Sequence, residues 1–331
     1  MCVRAVTVDA PGDPSVLRLA ERPTPDVGPR EVLVATAFAG VNFADVLMRQ
    51  GLSNSGYPLV PGVEGSGVVV ALGSDVSEVR VGDRVAWAPV KRASNIGSYA
   101  ELSVIGVEQA LPVPDDIPLD TAAAMALQGL TAHYLVHDQH PIEPGTTVLV
   151  HAGAGGTGRL VVQWLASLGA EVIATVGSEE KRAVARDAGA RHVINYREVD
   201  FADEVLALTE GRGVDYVVDG VGAGTFRGDL RAVADRGRIC VFGRAAGVPE
   251  QFSPIELVFR SITVSGGYMT NFLRDRAEVL RKASELWAAV RDNALTPLTT
   301  TLPLEEAHEA HARIESRASV GKFVLEVGGT R

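Results

Sequence analysis

The stretch Val148-Leu149-Val150-His151-Ala152-Gly153-Ala154-Gly155-Gly156-Thr157-Gly158 decides how this chain is read. An apolar run enters it, a helix-forming segment leaves it, and glycines at 153, 155 and 158 sit at the junction with the spacing GxGxxG. Without a strand before it and a helix after it, such a pattern is only a glycine-rich turn. Here Pro144-Gly145 places a turn ahead of the strand, 156–168 has helical periodicity, and 171–176 supplies a second strand at the spacing of a βαβ unit. Gly153 then permits a tight turn, Gly155 lets backbone amides approach a pyrophosphate, and Gly158 lets helix and strand pack closely. Phosphate sits on the positive end of that helix. The junction predicts a dinucleotide site containing Gly153, Gly155, Gly156, Thr157 and Gly158.

Outward from this unit the same rhythm continues. A helix is predicted over 121–135, strands or helices alternate at 181–188, 192–195, 201–209, 216–219 and 239–242, and the strands are almost wholly apolar. That is what a parallel sheet covered on both faces requires. The first third differs, with short β-type runs at 31–37, 65–72 and 83–88 punctuated by glycine and proline, which reads as an irregular, mostly β domain. Beyond 265 come an amphipathic helix (275–291), a strand (299–302), a helix (304–315) and a last strand (322–327), too few pieces for a third domain. The expected class is α/β: a Rossmann-type doubly wound parallel sheet over 121–265, inserted in a mostly β catalytic domain formed by 1–120 and 266–331. The cleft between the two is the default ligand site.

Composition narrows the function. The 331 residues, 46% hydrophobic and 22% charged, can bury a large core in two domains. The start of the chain reads as a strand, no apolar run is long enough for a bilayer, and a cytoplasmic protein without a membrane partner is expected. Cys2 and Cys240 are the only cysteines, too few for a disulfide framework or a multi-cysteine metal site. A formal net charge of −10 disfavours nucleic acid as a partner.

The second strand bears on which dinucleotide binds. An NAD site usually places a carboxylate there for the ribose hydroxyls, whereas this strand ends Thr175-Val176-Gly177-Ser178. That leaves room and a hydroxyl donor for a 2′-phosphate. Lys181 on the next helix and Tyr196 at the end of the third strand are further candidates for the same phosphate, which favours NADPH. Alternatively Lys181 is a solvated helix residue and Tyr196 a packing aromatic; Glu179 or Glu180, turned inward, would imitate the NAD carboxylate.

At these residues the sequence resembles the quinone oxidoreductase branch, related to ζ-crystallin, of the medium-chain dehydrogenase/reductase superfamily. The segments Gly40-Val41-Asn42-Phe43-Ala44-Asp45, Pro61-Gly62-Val63-Glu64-Gly65-Ser66-Gly67-Val68-Val69, Gly82-Asp83-Arg84-Val85 and Gly129-Leu130-Thr131-Ala132 carry the likeness, in order, over essentially the whole chain. The resemblance implies that the β domain is GroES-like. It implies that Asn42, Asp45 and Thr131 line the nicotinamide side, that Val221-Gly222 and Phe242-Gly243 run along the cofactor, and that Arg317 lies near the adenosine phosphate. Plainer roles stay open: Asn42 and Asp45 as a helix cap, Thr131 bonded to a helical carbonyl, Gly222 and Gly243 as strand-end glycines, Arg317 as a surface cation. Zinc relatives carry a cysteine at the Asn42 place and a histidine at the Val63 place, so this chain lacks two ligands and no metal is expected. Some bacterial quinone reductases have a tyrosine at the Leu47 place and an arginine near Gly266, so the acceptor here is expected to differ; Tyr57 and Tyr99 are possible pocket aromatics. The resemblance also implies a homodimer through the edge strand near 262–266.

The expected activity is reduction of a quinone-like acceptor at the expense of NADPH. A double-bond reductase of enones, 2-alkenals or enoyl thioesters is the alternative enzyme, and an NADPH-binding protein with little catalysis is the alternative of another class.

Overall fold

The structure is a computed structural model that describes residues 2–53, 55–90 and 97–328. The chain divides into two compact units. One comprises Met1–Leu130, Leu273–Arg291 and Pro297–Arg331; the other comprises Thr131–Phe272 and Asp292–Thr296.

In the first unit β1 (Cys2–Thr7) and β2 (Arg18–Pro23) form an antiparallel pair. There follow β3 (Glu31–Gly40), α1 (Phe43–Arg49), β4 (Glu64–Leu72), β5 (Arg84–Trp87), β6 (Leu102–Gly106) and β7 (Ala110–Pro112). Helix α2 (Leu119–His137) has residues in both units.

The second unit runs β8 (Thr147–Val150), α3 (Gly156–Ser167), β9 (Glu171–Val176), α4 (Glu179–Asp187), β10 (His192–Asn195), α5 (Phe201–Leu208), β11 (Val214–Asp219), α6 (Phe226–Ala232), β12 (Val233–Val241), α7 (Ile255–Val258) and β13 (Thr263–Gly266). Its strands pair in the order β10-β9-β8-β11-β12-β13, every pair parallel. This is the doubly wound order in which the chain reverses direction between the first and fourth strands, here β8 and β11. All four residues of β8 are buried, as a central strand covered on both faces demands. Leu149, Ile173, Ile194, Val217 and Ile239, one from each of five neighbouring strands, join one core with Phe201 and Phe226.

The chain then returns to the first unit with α8 (Arg276–Arg291), β14 (Thr299–Pro303), α9 (Ala307–Glu315) and β15 (Lys322–Glu326). β15 pairs parallel with β14 and antiparallel with β3, in a sheet ordered β14-β15-β3-β4-β5-β7 with β6 on the side of β3. The expected class is therefore the observed one: a parallel Rossmann sheet and a mostly β unit assembled from both ends of the chain.

The sequence pattern leaves β2, β6, β7, α6 and α7 unassigned and β12 too short, and in α6 and β12 the reason is visible. α6 falls in a stretch that is given no element, and Gly228 sits inside it; an added Cβ there would meet the Phe201 ring at 2.2 Å, so close packing of α5 on α6 requires the glycine. β12 begins at Val233 rather than 239. Its first residues hold Arg236 at φ 64, and its pairing with β11 is irregular between Val214 and Tyr216, which gives that part of the strand the composition of a turn.

Candidate functional site

At the carboxyl end of β8 the chain turns through His151–Gly155 and enters α3, with Gly155 in an extended conformation as the helix N-cap. The turn is sterically closed. A Cβ on Gly158 would lie 2.3 Å from the Ala152 carbonyl oxygen, and one on Gly153 would lie 2.7 Å from Ala174 Cβ on β9. Only glycine lets the first turn of α3 come this close to the strand ends, leaving the amides at the start of α3 without intrahelical partners. Gly156 and Thr157 are the first two residues of that helix. The cradle fits a dinucleotide pyrophosphate on its shape alone.

A buried polar chain lies at the same strand ends. His151 Nε2 is 2.7 Å from Asp229 Oδ1 on α6, and Nδ1 is 2.8 Å from Thr175 Oγ1 on β9. Burial opposes charge on His151, but the Asp229 carboxylate outweighs it and the imidazole pKa is raised. Burial raises Asp229 to about 6. Asp219, at the end of β11, accepts the N–H groups of Val221 (2.7 Å) and Gly222 (3.1 Å) on Oδ1 and the Thr225 hydroxyl on Oδ2. Gly222 has φ 81, and a Cβ on Gly243 would meet the Gly220 carbonyl oxygen at 2.6 Å, so the turns after β11 and β12 pack backbone on backbone. Phe242 donates its N–H to the Asp219 carbonyl (2.8 Å). Val221, Gly222, Phe242 and Gly243 are thus held at the carboxyl edge of the sheet that also carries the glycine turn.

The end of β9 gathers the other phosphate candidates. Ser178 caps α4 with its hydroxyl toward the Lys181 N–H. The Tyr196 hydroxyl lies over Gly177, where a Cβ would stand 2.5 Å from it. Lys181 has its pKa lowered by partial burial and then by the nearby Arg197 guanidinium. The Glu180 carboxylate acts on Lys181 in the opposite sense to Arg197, and an anion bound beside Lys181 would relieve the repulsion between the two cations. Glu179 pairs with Arg182 (2.8 Å) and Glu198 accepts from Arg182 (3.3 Å), which accounts for Glu179. Arg197 went unread in the sequence, although it directly follows Tyr196. Arg317 belongs to the other unit, exposed in the left-handed turn that ends α9 (φ 57).

In the first unit, Asn42 is the buried N-cap of α1. Its backbone N–H is accepted by Asp45 Oδ2 at 2.8 Å, and its side chain enters a network that the sequence did not disclose. Asn42 Nδ2 donates to Glu64 Oε1 (2.7 Å), and Asn42 Oδ1 accepts from Lys322 Nζ (2.7 Å) and from Gln128 Nε2 (3.5 Å). Lys322 also pairs with Glu64, both buried, and Glu64 Oε2 accepts the Leu127 N–H (2.7 Å). Asp45 supports Asn42 through its backbone rather than its amide. Burial lifts the Asp45 pKa to about 7, against the Asn42 N–H and the Lys322 charge. The Tyr99 hydroxyl donates to Asp45 Oδ2 (3.2 Å) and lies 3.1 Å from His311 Nε2, so Tyr99 is a core residue with a bonded hydroxyl. Tyr57 donates to the Met48 carbonyl at the end of α1. Thr131, on α2, is buried with Oγ1 3.7 Å from Met269 Sδ. Among the described residues no group of three or more His, Cys, Asp or Glu side chains gathers as a metal site.

Two family models match: Alcohol dehydrogenase GroES-like domain over 28–144 and Zinc-binding dehydrogenase over 156–286. The chain is 37% identical over 323 residues to the quinone oxidoreductase of Pseudomonas aeruginosa, covering 95% of this chain and 96% of that protein. It belongs to the quinone oxidoreductase branch of the medium-chain dehydrogenase/reductase superfamily. The family's breadth shows in a second relative, the 2-haloacrylate reductase of a Burkholderia species, 34% identical with 98% of each chain covered. Among solved structures, Escherichia coli quinone oxidoreductase complexed with NADPH superposes with a TM-score of 0.93 at 32% identity, covering 98% of this chain and 99% of that one. This member of the family is an oxidoreductase whose glycine turn and buried network occupy the regions just described.

Proposed function

We propose that the protein is an NADPH-dependent reductase of electron-poor acceptors of the quinone type, working without a metal. The observation that carries the choice of cofactor is the Ser178 hydroxyl at the Lys181 N–H and the Tyr196 hydroxyl over Gly177, with Arg197 near Lys181, at the end of a strand whose last residues, Thr175-Val176-Gly177-Ser178, include no carboxylate. The turn at Gly153, Gly155, Gly156, Thr157 and Gly158 would hold the pyrophosphate, and the backbone at Val221, Gly222, Phe242 and Gly243 would run beside the rest of the cofactor. Arg317 is a further candidate for the adenosine phosphate. When bound, NADPH supplies the hydride that reduces the acceptor.

The chain's own residues have the simpler tasks of binding, orienting and stabilising charge. Thr131 lines the nicotinamide side, and Asn42 donates a hydrogen bond to the acceptor oxygen as negative charge develops there. Asp45 holds the Asn42 backbone. A proton from solvent water then neutralises that oxygen, so that hydride and proton together account for the two-electron reduction. A quinone or an α,β-unsaturated carbonyl accepts hydride readily enough for positioning and one donor to suffice. The replacement of two zinc ligands by Asn42 and Val63 fits this reading.

A second reading, reduction of a carbon–carbon double bond conjugated to a carbonyl or carboxylate, is favoured by the likeness to a 2-haloacrylate reductase. NADPH oxidation measured against a panel of quinones, enones and 2-haloacrylates separates the two, and an absence of turnover with every acceptor would leave a dinucleotide-binding protein. We further place a homodimer in the cytoplasm. β13 is an edge strand with Ile255, Val258, Phe259 and Tyr268 exposed nearby, and both cysteines are free, as in a reducing compartment.

A further inference from the structure

We propose that Lys322 and Glu64 are positioning residues that fix the amide of Asn42, so that its second N–H is turned to donate to an acceptor oxygen. The inference rests on the reading that Asn42 faces the acceptor.

An asparagine amide has one accepting oxygen and two N–H donors, and its two faces are nearly equal in shape. Here they are not equal in surroundings. Oδ1 receives the Lys322 ammonium at 2.7 Å, and Nδ2 gives one hydrogen to Glu64 Oε1 at 2.7 Å. A flipped amide would set its NH2 against the ammonium and its carbonyl against the carboxylate, and both contacts would repel. The backbone is fixed as well, by the Asp45 carboxylate on the Asn42 N–H. The second Nδ2 hydrogen has no acceptor among the described residues.

Packing alone does not call for this ion pair. A buried pair of opposite charges seldom stabilises more than apolar side chains of similar volume. What the charges add is a polarity that the neighbouring amide must match. The pair joins β4 to β15, whose ion-paired residues stand 258 positions apart, and room for Glu64 is left by Gly40, where a Cβ would collide with the carboxylate. Asn42, Glu64 and Lys322 thus form one unit, in which the two charged side chains fix which end of the Asn42 amide carries its remaining donor.

The test uses the full-length protein, NADPH and 1,4-benzoquinone. The double variant E64Q/K322M removes both charges together, so that neither is left buried alone. Its kcat is expected to fall about tenfold while its dissociation constant for NADPH stays within about twofold, and N42A is expected to fall by about a hundredfold, as for loss of a donor to a developing oxyanion. The triple variant N42A/E64Q/K322M should be no slower than N42A, and K322R, which keeps the cation, should recover most of the loss seen in K322M. A double variant with wild-type kcat, or a triple variant showing the product of the two separate losses, would overturn the proposal. If N42A itself turns over like the wild type, the reading of Asn42 as donor fails, and the amide resonances decide the orientation claim alone. Two dispersed Asn42 side-chain protons that converge in E64Q/K322M support it, and protons indifferent to that change overturn it.

Discussion

Replacing Gly158 with alanine is the sharpest perturbation of the cofactor turn. The new Cβ would stand 2.3 Å from the Ala152 carbonyl oxygen, 2.9 Å from its carbon and 3.2 Å from the His151 carbonyl oxygen, where ordinary contact begins at 3.4 Å. None of these atoms belongs to a flexible side chain, so the turn must retreat from α3 by about 1 Å. Forcing such an overlap costs about 1–3 kcal/mol of stability. It also moves the amides away from the pyrophosphate, and a misplacement of about 1 Å is worth about a hundredfold where geometry governs. NADPH and NADH share the pyrophosphate, so both should bind about 10- to 100-fold more weakly, equivalent to about 1.4–2.7 kcal/mol. Fluorescence titration with each dinucleotide, beside a thermal melt that shows the variant folded, measures this. Wild-type affinity for both would refute the assignment of the turn, and a loss confined to NADPH would mean that Gly158 serves the extra phosphate instead.

The adjacent cations should behave in the opposite way. Lys181→Ala and Arg197→Ala are each expected to weaken NADPH by about tenfold, the lower end for a charge-assisted hydrogen bond at a half-exposed site, and to leave NADH unchanged; equal loss for both dinucleotides would remove these residues from the 2′-phosphate. Asp45 gives a pH signature. Its folded pKa of about 7 lies above the ordinary carboxylate value near 3.9, so the folded protein holds a proton that the unfolded chain has lost, and stability falls as pH rises from about 4 to 7. Asp45→Asn removes that titration, so urea unfolding should find the variant close to wild type at pH 5 and more stable than wild type, by about 1–3 kcal/mol, at pH 8. A difference that is the same at both pH values would contradict the buried, proton-holding carboxylate.

What could be read from the sequence was what depends on near neighbours. Gly153, Gly155 and Gly158 stand on adjoining turns, and β8, β9 and β10 are apolar because both faces are covered, so pattern and cause coincide. α6 was hidden because the glycine that lets it approach Phe201 also breaks a helical pattern. The first half of β12 was hidden because its irregular pairing is built from Asp235-Arg236-Gly237, residues that ordinarily mark turns. The Asn42 network was illegible for another reason. Glu64 opens an apolar strand and Lys322 another, and each alone reads as a solvated end; only the sheet that places β15 beside β3 and β3 beside β4 brings them together. The segment 87–98 contains no cysteine, and its residues 91–96 lie outside the described residues.

The most direct measurement is NADPH oxidation with 1,4-benzoquinone by protein dialysed against a strong chelator, its metal content measured in the same sample. Undiminished turnover at negligible bound metal, with NADH a markedly poorer donor, is the predicted result. Turnover that disappears with the metal and returns with added zinc would contradict the account.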